Sequence, residues 1–100
     1  MKFIVDITDE AKEDFKKLDK NAQKKITRAF EWIEEYDIEF VETKHLEDDL
    51  YEIITDNVRA LYGYQKEQII IIAVIFLKKT QKTPVKFKEK AKKILKKEIK

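Results

Sequence analysis

Two short stretches carry the residue types that could do chemistry. In VRALYGY (58–64) Arg59 sits mid-run, and in FLKKTQKTP (76–84) Lys78, Lys79 and Lys82 crowd together with Thr80, Gln81, Thr83 and the only proline. An arginine inside a strand costs stability unless its guanidinium reaches water or an anion. Alternation puts Arg59 on one face with Leu61 and Gly63, and Val58, Ala60, Tyr62 and Tyr64 on the other. Gly63, the only glycine, removes bulk on the Arg59 face, so a ligand or a backbone can approach there. If the next strand releases Lys78 and Lys79 beside Arg59, three cations converge at a helix N-terminus, with Thr80 and Thr83 nearby. Such a terminus suits a phosphate. The plain alternative is an arginine snorkelling at a sheet edge.

The remaining candidates are weaker. His45, the only histidine, lies between Lys44 and Leu46, just before an expected strand. With an ordinary pKa of about 6.5 it is a candidate acid or base, although a solvent-facing loop histidine is the commoner outcome. The consecutive acids Glu47, Asp48 and Asp49 would point in different directions from a turn, so no metal is expected. Trp32, Tyr36 and Phe40 recur every fourth residue, which suits core or protein contact better than base stacking.

These residues need a frame. KFIVDI alternates as a half-buried first strand, and Thr8 or Asp9 can cap a helix over DEAKEDFKKLD. DKNAQ breaks it, and Asn21 can cap a second, longer helix with Ala22, Ile26, Ala29, Phe30 and Ile33 on one face. From Leu50 the period changes: LYEIIT, VRALYGYQ and IIIIAVIFLKK, separated by DN and KEQ, predict an antiparallel meander whose last strand is covered on both faces. TPVKFKEKAKKILKKEI closes as a helix, with Thr83 suited to the cap and Pro84 to the first helical position. The expectation is an α+β fold ordered β-α-α-β-β-β-α, with residues 1–100 forming one domain.

Composition narrows the chemistry. The chain has 100 residues, 43% of them hydrophobic, no cysteine and one histidine. That excludes disulfides, a thiol nucleophile and a paired-imidazole mechanism. The longest apolar run, Ile69 to Leu77, is about half of the roughly 20 residues that span a bilayer. Met1 leads straight into strand-like sequence, so a soluble cytoplasmic protein without a signal peptide is expected. The net charge of +2 hides an asymmetry: residues 78–100 hold eleven lysines against two glutamates, +9, leaving −7 on residues 1–77. One cationic surface of this kind suits a polyanionic partner, and equally a solvated helix.

HLEDDLYEI, then VRALY, then FLKKTQKTP and the lysine-rich end together resemble the HigB-like branch of the RelE superfamily of toxins. The match runs over roughly residues 44–97, and KKTQKTP is its most specific part. The resemblance implies a RelE-like fold: a mainly antiparallel sheet with an N-terminal helical hairpin and a C-terminal helix. It also implies a ribosome-dependent mRNA interferase without cofactor, acting in the ribosomal A site and restrained by a cognate antitoxin, often of helix-turn-helix type. Carried over by position, Arg59 and Lys79 would stabilise the scissile phosphate, and Lys78, Thr80, Gln81 and Lys82 would hold RNA. In RelE-type chemistry a ribose 2′-hydroxyl attacks the adjacent phosphate, and Glu52, His45 and Lys79 are candidates for taking its proton. The last-helix lysines would bind ribosomal RNA.

This chain departs from the family pattern at four places. Val58 stands where the pattern has an aromatic before the arginine, Ile54 where it has a cation, Glu52 and Ile54 where RelE has two lysines, and PVKFK offers Phe87 where RelE has a tyrosine. These departures leave open a second reading: a RelE-fold protein that binds an antitoxin or nucleic acid without cleavage.

Overall fold

The computed structural model describes residues 2–79 and 81–99. The elements are β1 (Ile4–Ile7), α1 (Asp9–Lys16), α2 (Lys20–Glu35), a 3-10 turn (Ile38–Phe40), β2 (Glu42–Glu47), β3 (Leu50–Thr55), β4 (Val58–Lys66), β5 (Ile69–Leu77) and α3 (Val85–Glu98). The strands form one sheet in the order β1-β5-β4-β3-β2, antiparallel except for the β1–β5 pair. The α+β class, the helical hairpin and the meander agree with the expectation. β2 is the addition. Its sequence, ETKHLE, is mostly exposed and polar, as an edge strand can be, so it lacks the apolar alternation that marks a strand.

Local chemistry sets the boundaries. Thr8 caps α1 by accepting from the Ala11 N–H at 3.1 Å, and its hydroxyl donates to the Ile72 carbonyl at 2.9 Å, tying the helix start to β5. α2 is capped by Asp19, which accepts from the Ala22 N–H at 2.8 Å; Asn21 therefore lies inside the first turn and is not the cap. At α3 the cap position falls on Pro84, and no side chain caps the helix. The last strand ends at Leu77, so Lys78 and Lys79 belong to the loop.

The two sheet faces bury separate cores. Under α1 and α2 lie Ile26, Phe30 and Ile33 with Ile53, Tyr62 and Ile72, and under α3 lie Leu61, Val74 and Phe76 with Ala91 and Leu95. β5 serves both faces, which explains its unbroken apolar run. Its register slips where Leu61 pairs Val74 but Tyr62 pairs Ile72, so that Ala73 and Val74 both serve the α3 face. Among the described residues, no helix is long and apolar enough to cross a membrane.

Candidate nucleic-acid interface

β4 and β5 deliver the cations to one place. Arg59 pairs with Ile54 on β3 and with Phe76 on β5, near the end of the sheet where the chain leaves β5. The Lys78 N–H donates to the Asn57 carbonyl at 2.8 Å, which pins the departing loop against the β3–β4 turn. An open hollow of about 470 Å³ results, lined by Asp56, Asn57, Arg59, Lys78, Lys79 and Gln81. Arg59, Lys78, Lys79 and Gln81 thus come together. Thr80 lies outside the described residues.

Arg59 is held by its own hairpin. Its Nη1 donates to the Asp56 carbonyl and, at 3.1 Å, to that of Val58, while its buried Nε has no partner among the described residues. This ties the guanidinium to the backbone of a tight turn in which Asp56 has φ 57°. Asp56 and Asn57 are the lining residues that sequence reasoning missed; the DN turn, separated from Arg59 by Val58 alone, was their signal. The Asp56 carboxylate pairs with Lys25, whose hydrogen bond holds the Asp56 pKa below the usual carboxylate range. Its negative charge is therefore partly answered, and the hollow retains a cationic excess.

The acid–base candidates separate. Lys79 lines the hollow. Glu52, opposite Leu61 on β3, lies on the same face as Arg59 but is 1% exposed, and its Oε2 accepts from the Thr83 hydroxyl at 2.7 Å. His45 pairs with Tyr51 on the α1/α2 face, its Nε2 lying 2.6 Å from the Asp48 carbonyl oxygen and its ring 4.9 Å from that of Tyr51. There it joins Tyr62, whose phenol burial pushes well above its ordinary pKa, and Tyr64. Among the described residues no group of three or more histidine, aspartate or glutamate side chains is placed to hold a metal ion.

Of the two approaches expected at Gly63, it is a backbone that comes close, together with α3: a Cβ there would lie 3.0 Å from Leu95 Cδ1 and 3.2 Å from the Asp49 carbonyl oxygen. Phe87, where the resemblance asks for a tyrosine, stacks on Phe76 with ring centroids 4.3 Å apart. Trp32, Tyr36 and Phe40 are not core residues; they are 47%, 59% and 61% exposed. A narrower hollow of about 310 Å³ between the β2–β3 turn and the end of α3, lined by Asp49, Leu50, Lys92 and Ile99, lies away from Arg59. The wider, shallower hollow over Arg59 suits a strand backbone better.

Residues 13–96 match the family model described as Phage derived protein Gp49-like. No curated protein matches the chain. Among solved structures, it is similar to the archaeal RelE–RelB complex from Pyrococcus horikoshii OT3, with 20% identity, TM-score 0.64, and coverage of 79% of this chain and 98% of that one. The RelBE2 toxin–antitoxin complex of Mycobacterium tuberculosis is similar at 15% identity and TM-score 0.64, over 78% of this chain and 100% of that one. A free E. coli RelE toxin variant aligns over 97% of this chain and 98% of its own, with 16% identity and TM-score 0.63. The chain has the fold of the RelE toxins, and it belongs to the Gp49-like family of phage-derived proteins.

Proposed function

We propose that the protein is the toxin of a type II toxin–antitoxin pair, in the HigB-like branch, and a ribosome-dependent mRNA endoribonuclease. The observation that carries this reading is the gathering of Arg59, Lys78, Lys79 and Gln81 around one open hollow. In the proposed reaction the ribose 2′-oxygen gives up its proton and forms a bond to the adjacent phosphorus, and the bond to the 5′-oxygen breaks as that oxygen takes a proton from water. Arg59 and Lys79 stabilise the negative charge of the phosphorane between these events. Lys78 and Gln81, with Thr80 and Lys82, grip the backbone. Glu52 is buried against Thr83 and His45 faces away, which supports Lys79 as the acceptor of the 2′-proton; the ammonium so formed is the charge it sets against the phosphorane.

The partners follow from charge and exposure. Lys93 and Lys96 project from α3 outside the ion pairs that occupy Lys88, Lys90, Lys92 and Lys97, and in this reading they contact ribosomal RNA in the cytoplasm. The exposed aromatic face of Trp32, Tyr36 and Phe40 is the docking surface for the antitoxin, which we infer to be of helix-turn-helix type. That solved relatives are RelE–RelB complexes supports an antitoxin partner.

A second reading, a binder that does not cleave, is favoured by one observation: Ile54 stands directly opposite Arg59, where the family pattern has a cation. Primer extension on a reporter mRNA in a bacterial translation extract decides. Ribosome-dependent, in-frame cuts are expected from the wild-type protein. An intact message despite bound, folded protein leaves the binder.

A further inference from the structure

We propose that Glu52 is a positioning residue: through Thr83, its buried carboxylate helps to hold Lys78, Lys79 and Gln81 around the hollow they share with Arg59. The inference rests on the reading of that hollow as the RNA-cleavage site.

Glu52 lies on the α3 face of β3 beside the apolar cluster of Leu50 and Leu61, at 1% exposure. A carboxylate withdrawn from water is tolerated only where hydrogen bonds replace its hydration. The Thr83 hydroxyl supplies one at 2.7 Å. Thr83 is otherwise suited to capping a helix, yet α3 starts with no side-chain cap, so this hydroxyl serves a contact 31 residues away in sequence. At the other end of the loop, the Lys78 N–H is bound to the Asn57 carbonyl at 2.8 Å. Pro84, with φ −58°, stiffens the exit. The cationic loop is therefore clamped at both ends to the same hairpin that holds Arg59. Preorganised charge stabilises a transition state without reorganising when the reaction occurs.

The test uses Thr83→Val, Thr83→Ser and Glu52→Gln. Thr83→Val removes the donor at a partly exposed position, so the fold is retained. Glu52→Gln keeps an oxygen that accepts from Thr83 but cannot take up a proton at neutral pH. Amide hydrogen exchange at Lys79, Gln81 and Lys82 is expected to rise about tenfold in Thr83→Val, with the sheet unchanged, and to match wild type in the other two variants. Ribosome-dependent cleavage is expected to fall about 100-fold in Thr83→Val, the scale of a misplacement near 1 Å. It should recover in Thr83→Ser and keep its wild-type pH profile in Glu52→Gln.

Wild-type loop exchange in Thr83→Val overturns the clamp. So does normal cleavage by Thr83→Val together with loss of cleavage and of the acidic limb of the pH profile in Glu52→Gln, which assigns Glu52 to proton transfer. If the wild-type protein leaves the message intact, the nuclease reading falls, and loop exchange alone decides the clamp.

Discussion

Lys92 Nζ lies 2.9 Å from Glu47 Oε2 and Lys88 Nζ lies 3.3 Å from Oε1 of the same carboxylate, so one side chain at the end of β2 fastens two successive turns of α3. Lys97 adds a bond to Glu10 of α1 at 2.9 Å. Three of the eleven lysines at the end of the chain thus hold the helix to the sheet and to α1.

That network predicts an acid-sensitive fold. Hydrogen bonds, from Lys92 first and then Lys88, hold the Glu47 carboxyl below the ordinary carboxylate range; Lys97 does the same for Glu10 and Lys25 for Asp56. With folded pKa values depressed, their stabilisation is complete above the unfolded carboxylate range and is lost as pH falls through the depressed values. Tm measured against pH at low salt is expected to be level near neutrality and to drop in acid. The drop should be smaller in Glu47→Gln and in high salt. An acid limb identical in wild type and Glu47→Gln would remove Glu47 from this account.

Gly63→Ala tests the seating of α3. The added methyl meets Leu95 Cδ1 at 3.0 Å and the Asp49 carbonyl oxygen at 3.2 Å, and the latter is backbone that cannot rotate away. Overpacking of this kind costs about 1–3 kcal/mol. Urea denaturation should show that loss, and unchanged stability would mean that α3 lies further from the sheet.

For the proposed cleavage, Arg59→Ala and Lys79→Ala are each expected to reduce kcat/KM by about 100-fold or more, the scale set by losing one preorganised charge donor. Arg59→Lys should not restore it, because an ammonium lacks the planar fork. His45→Ala should leave cleavage within about twofold, since its ring packs against Tyr51 on the opposite face. Single-turnover assays on ribosome-bound message measure all four variants, and a large loss in His45→Ala would reassign the proton acceptor.

Trp32→Ala and Phe40→Ala are expected to weaken antitoxin binding by about 2 kcal/mol each, the scale of an interfacial hot spot, while leaving cleavage and Tm near wild type. Phe40 is 61% exposed and Trp32 47%, so Phe40→Ala loses less packing than Trp32→Ala and is the cleaner of the two variants. Calorimetric titration with the co-expressed partner measures this. Equal affinity in both variants would move the antitoxin to another face.

Apart from β2, the order of strands and helices could be read from periodicity alone, because helix stripes such as Ile26, Phe30 and Ile33 and the β-branched run Ile69 to Ile72 state their period within a few residues. The types of the site residues were legible too: a mid-strand arginine and a lysine pair at a strand end are local anomalies. The edge strand β2 was hidden, since a strand exposed over most of its length needs no apolar alternation. Tertiary structure decided the rest, because contact between residues remote in sequence depends on register and face. Register set Arg59 against Ile54 and sent His45 to the other side. Packing assigned Gly63 to α3 and Thr83 to a buried carboxylate. A lysine in the sequence is only a charge that seeks a partner; the fold determined which lysines met a carboxylate and which were left facing the hollow.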